Sequence, residues 1–176
     1  MKKIFSYFLI FLLIITFSGC GIKNKYTPKA STFKMRPINE FYTQNTILIT
    51  NNSLLKEDIE AGSSLGNPFI INLPKWTNVA IEITKRELKK RGSNIGNKSS
   101  LKELKLSIES VEITSYPFIA RTILNLSIEA SNGYIKTYKV NNSSPTALFE
   151  RSSDGAIMIA VNKMLNDPKI ISFIKE

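Results

Sequence analysis

The residues able to carry out chemistry are few. The chain of 176 residues has a single cysteine, Cys20, and no histidine. A thiol acts as a nucleophile through its thiolate, which needs an activating base, and the usual base is an imidazole. Cys20 is therefore not expected to be catalytic, and one cysteine can form neither an internal disulfide nor a thiolate metal cluster. The lack of histidine also removes the commonest general base and the commonest metal ligand. Glu57, Asp58, Glu60 and Glu82 lack the Asp-x-Asp-x-Asp-Gly spacing of a calcium loop. Glu109, Glu112 and Glu129 lie in alternating, lysine-rich stretches and are expected as solvated charges rather than a carboxylate dyad. "GSSLG" (62–66) has neither the spacing nor the lysine of a phosphate loop. Serines are too plentiful for one Ser-Lys pair to stand out. No catalytic residue, metal or cofactor is expected, and the chain is read as a non-enzyme.

The densest charge lies in "KRELKKRG" (85–92), with Lys85, Arg86, Lys89, Lys90 and Arg91. One reading is a patch for an anionic partner, such as a glycan, a lipid or an acidic protein surface. The simpler reading is a solvated helix face whose cations complement the helix dipole and pair at i,i+4 as Glu82 with Arg86 and Glu87 with Arg91. The formal charge of +10 makes nucleic acid a formal option. An exported chain rarely meets it, so no nucleic-acid partner is expected.

Export follows from the first twenty residues. Met1-Lys2-Lys3 is a short positive segment, and Ile4 to Phe17 is an apolar run shorter than the roughly 20 residues that span a bilayer. The run ends in Phe17-Ser18-Gly19-Cys20, which resembles the lipobox of bacterial lipoproteins; Phe17 stands where that motif usually has leucine. The resemblance implies a signal peptide over 1–19 recognised through Phe17, Ser18 and Gly19. It also implies that Cys20 becomes the first mature residue, carrying diacylglyceryl and N-acyl groups. Each buried methylene contributes about 0.8 kcal/mol, so one acyl chain holds marginally and two or three hold firmly. Gly21, rather than aspartate, follows the cysteine, which by the same resemblance favours an outer-membrane, periplasm-facing location. The inner membrane and a Gram-positive cell membrane are the alternatives.

The elements beyond the anchor follow from periodicity. Residues 20–45 hold Lys23, Lys25, Lys29, Lys34 and Arg36, are broken by Pro28 and Pro37, and show no apolar period, so a flexible basic tether is expected. Its charge suits anionic headgroups and a soluble linker equally. One domain is expected over 46–176. "TILIT" (46–50) and "PFIIN" (68–72) read as strands, with a loop or helical turn over 53–67. Pro74 and Gly92 bracket a helix whose stripe is Trp76, Val79, Ala80, Ile83 and Leu88. Alternation then marks three antiparallel strands from Leu104 to Val140, with a bulge near Glu109-Ser110 and a hairpin at Asn132-Gly133. A second helix carries Ala156, Ile157, Ala160, Val161, Met164 and Leu165, and Asp167-Pro168 caps a short last one. The expected fold is α+β: an antiparallel sheet of about four strands packed on two main helices in two layers.

This layout resembles the YajG-type family of small lipoproteins through its lipobox, the helix ending "ELKKRG" (87–92), the alternating strands and "NKMLNDPKI" (162–170). Related architecture occurs in the amino-terminal domain of TolB and in auxiliary lipoproteins of envelope transporters. The resemblance implies a binding or assembly adaptor for another envelope protein and carries over no catalytic residue. Its expected surface is a sheet edge, Asn45–Thr50 or Tyr134–Val140. The alternative is a lipid or glycan carrier with a cavity lined by Trp76, Ile83, Leu126 and Met164.

Overall fold

The computed structural model describes residues 23–30, 35–64, 66–96, 102–145 and 148–176. The signal-type segment with Phe17, Ser18, Gly19 and Cys20 lies outside them.

The strand of longest alternation organises the domain. β6 (Lys102–Tyr116) buries Leu104, Leu106 and Ile108, then Val111 and Ile113. The phase change is a bulge, where its pairing with β7 (Ile119–Ala130) jumps between Ile108 and Ser110. The expected position is correct. β8 (Ile135–Ser144) returns antiparallel to β7 after a turn in which Gly133 takes φ 86°, a conformation open to glycine without strain.

The other edge of β6 is shared. β2 (Thr46–Asn51) pairs parallel with Lys102–Leu106, and β3 (Asp58–Ser64) meets β6 parallel at Ile113 and Thr114. β4 (Asn67–Asn72) pairs antiparallel with β3. Two-residue strands close the ends: β1 (Asn24–Lys25) beside β4, and β5 (Asn94–Ile95) beside β2. Among the described residues the result corrects the expected fold: one mixed, curled sheet of eight strands shaped as a half-barrel, with three helices. The expected two-layer sandwich of about four antiparallel strands on two helices does not form. The parallel β2–β6 pair was hidden because its connection runs through β3, β4 and a helix, a long crossover that no local pattern signals. β3 was hidden because "DIEAGSS" carries two acids, a glycine and only one β-branched residue; the loop or helical turn expected there is this strand.

Two of the described helices pack on the sheet, and the third packs against the second of them. α1 (Leu73–Lys89) starts at Asn72, whose side chain accepts from the Lys75 amide, and Pro74 occupies its first turn as expected. α2 (Phe149–Leu165) buries the expected face of Ala156, Ile157, Ala160, Val161, Met164 and Leu165, and α3 (Pro168–Lys175) is capped by Asp167. Trp76, Leu88, Leu104, Leu126, Ala160 and Met164 are fully buried in one core.

The stretch expected to be a tether lies along the domain wherever it is described. Tyr26 stacks edge-on against Trp76 and Phe149, and its carbonyl accepts from the Trp76 indole N–H at 3.2 Å. Arg86 donates to the Ala30 carbonyl at 2.9 Å, and Asn162 donates to Arg36 O at 2.9 Å. Ile38 and Thr43 are buried, and the Thr43 hydroxyl donates to Ile174 O. Its backbone is held by side chains of the helices and by short pairings. That is why no hydrophobic period announced it.

Candidate docking surface

The divided edge of β6 opens a surface feature. β2 leaves the strand after Asn51, opposite Leu106, and β3 arrives only at Ile113. The amide of Ile108, within that gap, would be buried without a strand partner. The Thr77 hydroxyl of α1 accepts from it at 2.9 Å and also lies 2.8 Å from the Ser53 hydroxyl. A helix side chain thus completes a ladder the sheet leaves open.

Over this gap lies a groove of about 310 Å³. Leu73, Ile108 and Ile128 contribute apolar wall, and the loop 52–55 forms one rim. Leu54 on that loop is 90% exposed, and Ile135 at the start of β8 is 67% exposed. Between them the Lys105 ammonium pairs with the Glu129 carboxylate at 2.8 Å. An apolar groove with one ion pair at its side suits an extended or helical apolar segment bearing a polar flank. Leu54 and Leu55 went unmarked in the sequence, although two adjacent leucines with no periodic partner are a usable signal of an exposed apolar loop.

The two expected edges differ. Among the described residues β8 is an edge, bonded only to β7, whereas β2 lies between β6 and β5 with Thr46 and Ile47 covered. The carrier residues Trp76, Ile83, Leu126 and Met164 are packed together in the core, and the groove lies elsewhere.

The basic cluster is divided. Arg86, Lys90 and Arg91 converge on Glu87, which α1 turns into the protein: Lys90 Nζ lies 2.8 Å from Oε1 and Arg91 Nη1 3.3 Å from Oε2. Burial alone would raise the Glu87 pKa, but hydrogen bonds and charge from Lys90 and Arg91 outweigh it and hold the carboxyl below its usual range. Arg91 also lies over the Phe41 ring at 5.4 Å. The expected Glu87–Arg91 pair is present, whereas Arg86 turns to Glu87 and Ala30 instead of Glu82. Lys85 and Lys89 form no ion pair among the described residues. Much of the cluster therefore fastens the amino-terminal strap to α1. Asp58, one of the four acids considered for a cation, pairs with Lys25 at 3.0 Å. Among the described residues no group of three His, Cys, Asp or Glu side chains is placed to hold a metal, and no helix is long and apolar enough to cross a membrane.

These features define a class: a mixed, curled sheet with helices packed against it and a groove at its split edge. The chain matches no protein-family model and no curated protein. Among solved structures it is similar to a Xanthomonas campestris protein of the family model DUF330, at 13% identity and a TM-score of 0.55, over 84% of this chain and 92% of that one. At that identity the likeness establishes a shared fold. A minor lipoprotein from Acinetobacter baumannii is also matched, at 11% identity and a TM-score of 0.35, over 76% of this chain and 92% of that one; so loose a superposition carries nothing further. Neither match singles out the YajG type.

Proposed function

We propose that the chain is a lipoprotein of the bacterial envelope, anchored through Cys20, that works without catalysis as a docking or assembly adaptor for another envelope protein. The observation that carries the adaptor reading is the apolar groove at the split edge, flanked by Leu54, Leu55 and Ile135. Its partner would be an extended apolar segment laid along the groove, with the β8 edge available to extend the contact. The Phe17-Ser18-Gly19-Cys20 run supports the anchor, and Gly21 supports placement in the outer membrane. No second reading gains an observation of its own, since the four side chains expected to line a carrier cavity belong to the core.

The test is a crosslinked pull-down of the full-length protein from its native envelope, comparing wild type with Leu54→Asp/Ile135→Asp and with Cys20→Ser. A partner recovered with wild type should fall at least about tenfold with the groove variant, as expected when an interface anchor worth 1.4 kcal/mol or more is removed. Cys20→Ser should release the protein from the membrane fraction. Recovery of the same partner at wild-type levels by the groove variant would reject the groove as the docking site. Enrichment of lipid or glycan with no protein would replace the adaptor reading with the carrier.

A further inference from the structure

The β6–β7 hairpin ends in Tyr116-Pro117-Phe118-Ile119, and this tip projects its apolar side chains into solvent: Phe118 is 84% exposed, Tyr116 61% and Ile119 40%. The tip turns back without covering them, and no described element packs over Phe118. Beside it lies a second hollow of about 250 Å³, lined by Asn24, Phe69, Tyr116, Pro117 and Phe149 among others. Asn24 is the residue that matters here. It is held in the sheet by pairing with Phe69, and it follows Cys20 by four positions. Four residues span no more than about 14 Å when fully extended. The strap contacts from Tyr26 to Thr43 leave no longer tether to pay out.

We infer that the Tyr116–Ile119 tip is a second membrane contact, seated in the headgroup and upper acyl region of the bilayer that holds the Cys20 lipid. The inference rests on the proposed anchor, which fixes one point of the domain close to the membrane. The hairpin supplies the other point. Tyrosine and phenylalanine flanked by proline suit that interface, because a tyrosine ring is apolar while its hydroxyl stays hydrated. The nearby charge is suitable as well. Exposed Lys23 lies next to Asn24, and exposed Arg121 follows Ile119 on β7; both favour anionic headgroups. Glu112 is the nearest acid on the hairpin, further down β6 and opposite Ile123. Ten residues of β7 separate Ile119 from Glu129, the partner of Ile135, which is roughly 30 Å of strand. The groove therefore lies at the far end of the meander from the tip.

The test uses full-length protein processed in its host, with the lipid on Cys20 verified by intact mass and the protein reconstituted in vesicles of dibrominated phosphatidylcholine and phosphatidylglycerol. Phe118→Trp and Ile135→Trp each add one reporter to the single native tryptophan, Trp76, which is fully buried. Bromine should quench the added emission of Phe118→Trp several-fold more than that of Ile135→Trp, with a blue shift on reconstitution. Lipidated protein whose two reporters are quenched equally, or not at all, overturns the membrane contact and leaves the anchor standing. Absence of the lipid mass overturns the anchor itself, and the tip contact falls with it.

Discussion

Neutralising Asp167 should remove about 2.5 kcal/mol of stability at neutral pH and little near pH 2. This residue begins α3, where its carboxylate accepts from the Lys169 amide at 2.9 Å. The other oxygen collects the β8 edge: the Tyr138 hydroxyl at 2.8 Å, the Tyr134 hydroxyl at 3.2 Å and the Lys136 ammonium. Burial works to raise its pKa, but the hydrogen bonds from Lys136, Tyr138 and the Lys169 amide prevail and lower it from 3.8 to about 2. At about 1.4 kcal/mol per pH unit, that difference is worth roughly 2.5 kcal/mol. The folded pKa is depressed, so the contribution is present above the unfolded value and is lost as pH falls from about 4 through about 2. Asp167→Asn is the right change because asparagine caps a helix nearly as well as aspartate. Urea unfolding followed by circular dichroism, at intervals from pH 7 to pH 2, gives the difference between wild type and variant. A gap that closes on acidification supports the charge account. A gap of constant size across the range would refute it and assign the loss to packing.

Two further changes probe the sheet and the strap. Gly62→Ala should cost at least about 1–3 kcal/mol from backbone strain alone, since Gly62 has φ 137° and an added Cβ would lie 2.0 Å from the Ile113 carbonyl oxygen; thermal melting checks this, and a wild-type melting temperature would contradict the close β3–β6 approach. Glu87→Gln should destabilise by about 1–3 kcal/mol by leaving the half-buried Arg86 and Arg91 short of their acceptor, whereas Lys90→Ala should stay within about 1 kcal/mol because that ammonium is largely exposed. Equal losses in chemical denaturation would mean that Glu87 is not the hub.

Legibility followed the range of the interaction. Pro74, Asn132-Gly133, the bulge near Glu109-Ser110 and Asp167-Pro168 each act within a few residues, and each was visible in the sequence. Asp167 also shows the limit: its role as a cap was legible, but its capture of Tyr134, Lys136 and Tyr138 depends on where β8 runs. The basic cluster shows the same limit, because the spacing of Glu87 and Arg91 predicts a pair yet cannot show that Glu87 faces inward with Arg86 and Lys90 drawn to it. The strap and the two-residue strands were illegible for a different reason. Their apolar residues, Tyr26, Ala30, Met35, Ile38 and Phe41, reach the core at irregular spacing, and their carbonyls accept from Trp76, Arg86 and Asn162, a pattern with no period in sequence.

The strap changes what an anchor at Cys20 would do. With 25 free residues, the domain would sample a coil distance of roughly 25–30 Å and any orientation. With the chain held at Asn24, such an anchor would leave four residues of leash and little freedom, and the domain would take up a preferred face toward the bilayer. Tyr26 is the clasp: its ring lies between Trp76 and Phe149, and its hydroxyl donates to Asp154 at 2.6 Å. Burial first, and the Asp154 carboxylate second, push the Tyr26 pKa upward, so the hydroxyl keeps its proton and the clasp stays closed throughout the physiological range. On the proposed reading, a short leash at one end of the meander turns the groove at the other end away from the membrane, where an envelope partner can reach it.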